Sequence, residues 1–188
     1  TSYDEISEKI AGLLKPELPH GFTGVREAFG KLGSMAHVPP KKVKQGSAPV
    51  QEVVLRGDEV DLHRLPALFT WPGDGGSFFN LGLTHTKDPD TGIRNLGLYR
   101  LQRHDARTIG MHWQIHKDSR NHYQTAARRG EKLPVAIAFG CPPAVTYAAT
   151  APLPGDIDEY LFAGFVQGRR IELVDCMTVP LQVPAQAE

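Results

Sequence analysis

Residues 77 to 105 read SFFNLGLTHTKDPDTGIRNLGLYRLQRHD, and the turn in the middle of that stretch decides the fold. Asp88, Pro89, Asp90 and Gly92 are strong turn formers, and the runs on either side carry the aromatic, branched and leucine side chains of strands. Strands joined by so short a turn pair antiparallel. Working outward, PVQEVVLRGDEV (49 to 60) precedes this hairpin as a further strand and MHWQIHK (111 to 117) follows it as another, so the economical architecture is a meander. Before the hairpin lies DLHRLPALFTWPGDGGS (61 to 77), irregular and rich in Pro and Gly, the kind of segment from which loops that close over ligands are built.

Helical patterns flank the strands. Asp4 is placed to cap a helix through Leu14, and GVREAFGKLGSMA (24 to 36) has the apolar spacing of a second, weaker one. VPPKKVKQGSAP (38 to 49) then interrupts regular structure as a linker or loop, because its prolines lack donors and its lysines favour water. Downstream, Ser119 can cap a helix through Arg129 with Gly130 as its stop, and KLPVAIAFG (132 to 140) is a buried strand. DIDEYLFAGFVQG (156 to 168) is a helix with Asp156 as its N-cap, Glu159 completing a capping box and Gly168 ending it. RRIELVDCMTV (169 to 179) returns as a strand. The sum is a sheet-dominated barrel carrying three or four helices.

Composition narrows the function classes. The 188 residues hold 21 Lys and Arg against 21 Asp and Glu, so there is no basic surplus to drive binding to a nucleic-acid backbone. No apolar run approaches the roughly 20 residues of a membrane helix and no signal segment is present, which makes a soluble, cytoplasmic protein the expectation. Cys141 and Cys176 stand far apart and read as buried free thiols. The first residue is Thr1, and the last ten, VPLQVPAQAE, still read as apolar structure, which suggests a piece of a longer protein.

Several residues are capable of chemistry. His112 and His116 are four apart, a spacing that on a helix would suggest a shared zinc. On a strand they lie roughly 13 Å apart and cannot share one metal, so each is either a lone ligand or an ordinary strand histidine. Asn95 offers a hard amide oxygen suited to magnesium or manganese, and Arg100 a fork for a carboxylate or phosphate, though both are also common in sheets. Strict alternation puts them on opposite faces, so a shared site requires a bulge or twist near Gly97. Glu159 is explained by capping its own helix, yet it also stands beside any anion that helix would attract. AFGCPPA (138 to 144) reads as a rigid structural corner.

Read together, NLGLYRLQRHD, GMHWQIHKD, AFGCPPA, APLPGDIDEY and VPAQAE resemble the UbiD family of decarboxylases, in family order from about Phe78 to the end. The resemblance implies an α+β, mainly β fold: a split β-barrel like that of flavin reductases, with peripheral helices. It would comprise an N-terminal helical segment and linker over 1–48 and a cofactor-binding domain over 49–188, truncated at its C-terminal end. The implied cofactor is prenylated FMN, made by a flavin prenyltransferase, with manganese held by Asn95, His116 and Glu159; some members also bind potassium close by. Leu98, Tyr99, Arg100, His112, Trp113, Gln114, Lys117 and Asp118 match cofactor-contacting positions. At Asp118 many relatives carry glycine beside a cofactor phosphate.

The implied reaction is reversible, non-oxidative decarboxylation of an aromatic or α,β-unsaturated acid, with Arg100 as the catalytic arginine that orients the substrate carboxylate. The acidic partners of that arginine fall beyond residue 188 in the family, so the expectation is an inactive isolated chain and an active, homo-oligomeric parent protein. Two other readings remain open. One is a split-barrel flavin reductase or oxidase using ordinary FMN; the other is a non-catalytic flavin-binding module.

Overall fold

The computed structural model describes residues 38 to 153 and 157 to 188, together with Glu8 and Ala11. Glu8 and Ala11 are helical; the remainder of the two N-terminal helical patterns, and the expected cap Asp156, lie outside the described residues.

The hairpin at the centre of the sequence forms. β3 (Leu83–Lys87) and β4 (Arg94–Leu98) pair antiparallel from Lys87↔Arg94 to Leu83↔Leu98. Their turn is closed by Gly92 N–H donating to Asp88 O at 2.8 Å and by Asp90 N–H donating to the Asp88 carboxylate at 2.8 Å. Gly92 takes φ +72°, a conformation that costs glycine little. Beyond Leu83↔Leu98 the two chains keep company but lose register. β2 (Ser77–Phe79) pairs with β5 (Leu101–Arg103), ending at Phe79↔Leu101. Asn80, Leu81 and Gly82 therefore oppose only Tyr99 and Arg100, a bulge of one extra residue that bends the long hairpin and splits it between two sheets.

The expected meander is thus corrected to three three-stranded sheets. β6 (Ile109–Met111) completes the order β2-β5-β6, and β7 (Ala136–Ala138) completes β4-β3-β7. The third sheet has the order β1-β8-β9, from β1 (Lys41–Lys42), β8 (Glu172–Asp175) and β9 (Gln182–Pro184). None of the three sheets closes on itself into a barrel among the described residues.

Among the described residues from 38 onward, three α-helices pack against these sheets: α1 (Asp118–Arg128), α2 (Pro143–Ala148) and α3 (Glu159–Gln167). The main core joins Leu83 and Leu96 of the hairpin to Val145, Ala148, Tyr160 and Ala163 of α2 and α3 and to Leu173 of β8. A second cluster under β8 and β9 includes Ala138, Val174 and Val183, and its Ala185 and Ala187 show the C-terminal residues to be packed structure.

Several local expectations are overturned. The linker at 38 to 49 contributes β1, parallel to β8, with Lys41 and Lys42 ion-paired to Glu172 and Asp175; the charges that favour water here find carboxylates on the neighbouring strand. Residues 49 to 60 form single 3-10 turns at Pro49–Gln51 and Gly57–Glu59 instead of a strand, leaving Val53, Val54 and Leu55 exposed. MHWQIHK is strand only to Met111; Ile115 and His116 lie in a turn that leads into α1, so the rise of an extended strand does not apply to the His112–His116 separation. Ser119 does not cap α1, whose N-cap is Lys117, and Asp158 rather than Asp156 caps α3. The proline corner is also the start of α2, with Pro143 in its first turn, where a missing N–H costs nothing.

Candidate functional site: a cleft along the free edge of β4

Among the described residues β4 is an edge strand, and helix ends cover that edge. A cleft of about 830 Å³ runs along it, lined by Asn95 and Gly97 from the strand and Tyr99 just beyond its end, Lys117, Asp118 and His122 from the start of α1, and Asp158 and Glu159 from the start of α3. The N-terminal ends of two helices thus meet one edge strand. Helix N-termini attract anions through their free N–H groups and their dipoles.

Asn95 is nearly buried, and its amide nitrogen donates to Ser119 Oγ at 2.8 Å. The Tyr99 hydroxyl accepts from the Ser119 amide at 3.3 Å; burial pushes its pKa up, while the Ser119 and Asn95 side chains beside it pull the other way. Lys117 holds its ammonium 5.9 Å from the centre of the Tyr99 ring.

Glu159 is half-buried as the first residue of α3. Because Asp158 supplies the cap, with Oδ1 accepting from Tyr160 N at 2.8 Å and Leu161 N at 3.2 Å, Glu159 is released from the capping role that accounted for it in the sequence. Burial pushes its pKa up from 4.5 to about 7; its own backbone amide and that of Leu96 work against the shift, and the negative charges of Asp158 and Asp118 add to it. A carboxylate so disfavoured in its charged form is one that a cation would stabilise. Asn95, Glu159 and Asp118 present hard oxygen donors of the kind magnesium and manganese prefer. These donor types suit a divalent ion, while among the described residues no three His, Cys, Asp or Glu side chains stand close enough together to hold one by themselves.

The other sequence-selected residues lie outside the cleft's lining. His116 is exposed, and its amide donates to Gln114 Oε1 at 3.0 Å, which occupies the Gln114 side chain locally. Arg100 follows the end of β4 and stacks its guanidinium 3.7 Å from the centre of the Phe78 ring. Its carbonyl accepts from the His112 amide at 3.1 Å, so these two residues belong to the β5–β6 side of the bend. The extra residue of the bulge lies in the opposite segment, Asn80 to Gly82, and not in the strand of Asn95 and Arg100 as a shared site requires, and Arg100 remains outside the cleft. Trp113 meets the edge of Tyr99 with ring centres 5.5 Å apart and stacks on Tyr123 at 5.9 Å. Leu98 packs against the main core. The irregular segment 61 to 77 lines none of this cleft.

Sequence reasoning missed the polar groups behind the cleft. Thr86, Ser119 and His122 are buried and hydrogen-bonded in series to Asn95, and Arg94 is ion-paired to Asp158. A threonine in an alternating strand and a serine before a helical pattern carry ordinary explanations, and only the register between β3, β4 and α1 brings them together.

Comparison with known proteins agrees with this architecture. Residues 41–188 match the model of the UbiD family, described as the 3-octaprenyl-4-hydroxybenzoate carboxy-lyase Rift-related domain. An uncharacterized protein of Aquifex aeolicus is 48% identical over 98% of the chain, and one of Archaeoglobus fulgidus is 43% identical over 98%; the chain spans 37% of each. Among solved structures, the UbiD-class enzyme HmfF from Pelotomaculum thermopropionicum in complex with FMN superimposes with a TM-score of 0.76 at 33% identity, over 85% of this chain and 37% of that one. Vanillic acid decarboxylase of Sedimentibacter hydroxybenzoicus in its open form gives a TM-score of 0.72 at 30% identity, over 86% of this chain and 35% of that one.

Proposed function

Because the chain belongs to the UbiD family of carboxy-lyases, we propose that it is the metal- and flavin-binding core of a decarboxylase acting on an aromatic or α,β-unsaturated carboxylic acid. The observation that carries this reading is the convergence of Asn95 and Glu159, from an edge strand and a helix N-terminus, on one cleft whose carboxylate is held in an unfavourable, partly dry setting. The sheets and bend described above would form part of a split barrel.

In this reading Asn95 Oδ1 and the Glu159 carboxylate hold manganese, with His116 as third ligand after the exposed turn at Ile115–His116 swings toward the cleft, and with potassium nearby. Lys117 and the N-terminus of α1 hold the cofactor phosphate through charge and free N–H groups. Leu98, Tyr99, His112, Trp113 and Gln114 flank the flavin. Bound prenylated FMN, obtained from a flavin prenyltransferase, supplies the electron sink for the bond to the departing carboxylate. Arg100 orients the substrate carboxylate, and the protein's remaining task is to exclude water and deliver a proton. The proton donor lies in the acidic partners of Arg100, outside this chain. The active protein is a cytoplasmic homo-oligomer, and its reaction is reversible.

The test is reconstitution. The 188 residues, titrated with Mn2+ and prenylated FMN, should bind both and release no carbon dioxide from cinnamate-like or hydroxybenzoate acids, while a polypeptide of the relatives' full length should release it. Carbon dioxide from the short chain would overturn the assignment of the proton donor. Metal-independent binding of ordinary FMN would favour a flavin reductase instead.

A further inference from the structure

We propose that Thr86, Ser119 and His122 are positioning residues: a one-way hydrogen-bond chain that turns the amide oxygen of Asn95 into the cleft. The inference rests on the reading of Asn95 as a metal ligand and names what orients it.

The Asn95 amide nitrogen lies 2.8 Å from Ser119 Oγ, Ser119 Oγ lies 2.9 Å from Thr86 Oγ1, and Thr86 Oγ1 lies 2.9 Å from His122 Nδ1. Thr86 and Ser119 are 0% exposed, His122 7% and Asn95 8%, so solvent does not compete for these groups. The four side chains come from β3, β4 and α1, and no two are neighbours in sequence.

Donor and acceptor bookkeeping gives the chain a direction. An amide NH2 can only donate, so Ser119 Oγ accepts from Asn95. If His122 carried its proton on Nδ1, Thr86 would accept from it and donate to Ser119. Ser119 would then accept twice and give its own hydroxyl hydrogen to the Tyr99 hydroxyl, so the row would run toward Tyr99 instead of toward His122. With the His122 proton on Nε2, Ser119 donates to Thr86, Thr86 donates to Nδ1, and every hydrogen in the row has an acceptor. Burial lowers the pKa of His122 against the opposing pull of Asp88 and Asp118, which favours the neutral ring that an accepting Nδ1 requires.

The consequence for Asn95 follows from its symmetry. An amide can present either end to a neighbour, and rotating it by half a turn would aim NH2 at the cation. Ser119, with its hydrogen committed to Thr86, offers only a lone pair, so the nitrogen faces Ser119 and the oxygen faces the cleft. Groups behind a metal ligand that fix its orientation commonly change metal affinity by ten- to a hundredfold.

Two measurements on the 188-residue chain test this. Nitrogen-15 NMR of the histidine rings at neutral pH, with His122 assigned by His122→Gln, should show a protonated Nε2 and a bare Nδ1; a protonated Nδ1 would overturn the chain's direction. Mn2+ titration followed by electron paramagnetic resonance should show Thr86→Val weakened about tenfold and Thr86→Ser within about twofold of the native protein. Native affinity in Thr86→Val, or equal loss in both variants, would overturn the positioning role. If the native chain binds no Mn2+ while His122 shows the Nε2–H form, the metal reading of Asn95 falls and this role falls with it.

Discussion

The guanidinium of Arg94 is held by the carboxylate of Asp158, Nε to Oδ2 at 2.5 Å, so the residue before Asn95 is tied to the residue before Glu159. The same guanidinium lies 5.1 Å from the centre of the Tyr160 ring, which anchors it to the second residue of α3. One ion pair therefore sets the spacing of the edge strand and the helix end across the cleft. Asp158→Ser keeps a capping oxygen and loses the pair, whereas Asp158→Ala loses both. Both side chains are roughly a quarter exposed, so we expect the serine variant to cost only about 1 kcal/mol in urea unfolding and the alanine variant about 1 kcal/mol more. Mn2+ affinity should fall about tenfold in both. Unchanged affinity in Asp158→Ser would show that the pair serves folding alone.

His85 gives the fold a dependence on acid. Its Nε2 lies 2.5 Å from the Tyr160 hydroxyl and its Nδ1 3.3 Å from Ala136 O, and burial lowers its pKa from 6.5 to about 4. The folded protein keeps this ring neutral where the unfolded chain takes up a proton. The stability it contributes is therefore fully present above about pH 6.5 and is lost as the pH falls toward 4, on the order of 3 kcal/mol in all. Glu159, with its pKa raised to about 7, acts in the opposite sense over an overlapping range, since the folded state holds its proton longer. The measurement is urea unfolding between about pH 4.5 and 7 in a Glu159→Gln background. Stability should rise with pH there, and His85→Gln should flatten the slope.

How much of this was legible in the sequence depends on how local the cause is. The hairpin turn at Asp88 to Gly92 and the helix stops at Gly130 and Gly168 are written in a few adjacent residues, and they form as read. Residues 49 to 60 carry the branched side chains of a strand but find no partner strand among the described residues, and without pairing their backbone settles into 3-10 turns. The cap of α3 is Asp158, which also pairs with Arg94, far away in sequence, a contact that no local pattern announces. The site divides in the same way. Motifs pointed to Asn95 and Glu159 one by one, but the Thr86–Ser119–His122 row exists only through tertiary register.

Gly97 marks where the backbone must come close to an aromatic ring. A Cβ at this position would stand 2.6 Å from Cε2 of Tyr99, two residues along the same face of the strand. Gly97→Ala should push the Tyr99 ring off the strand and disturb its edge contact with Trp113. We expect a loss of about 1–3 kcal/mol, as for overpacking elsewhere, together with a change in tryptophan fluorescence. An unaltered emission spectrum would show that the ring yields without moving its neighbour.

Asp118 places a negative charge that acts directly on the cleft. It opens α1, lines the cleft beside Lys117, and its field bears on Tyr99, His122 and Glu159. A phosphate bound at this helix end would feel the same repulsion, about 2–3 kcal/mol at 6 Å with an effective dielectric near 20 and less once salt screens it. Asp118→Asn removes the charge and keeps the shape. FMN should then bind about tenfold more tightly at low salt, and the gain should shrink as ionic strength rises. Mn2+ is expected to respond with the opposite sign, because the same carboxylate attracts the cation that its neighbours hold. Measuring both ligands in one variant therefore reads the charge of Asp118 in two directions, and a change of the same sign in both would mean that the substitution altered the cleft's shape rather than its field.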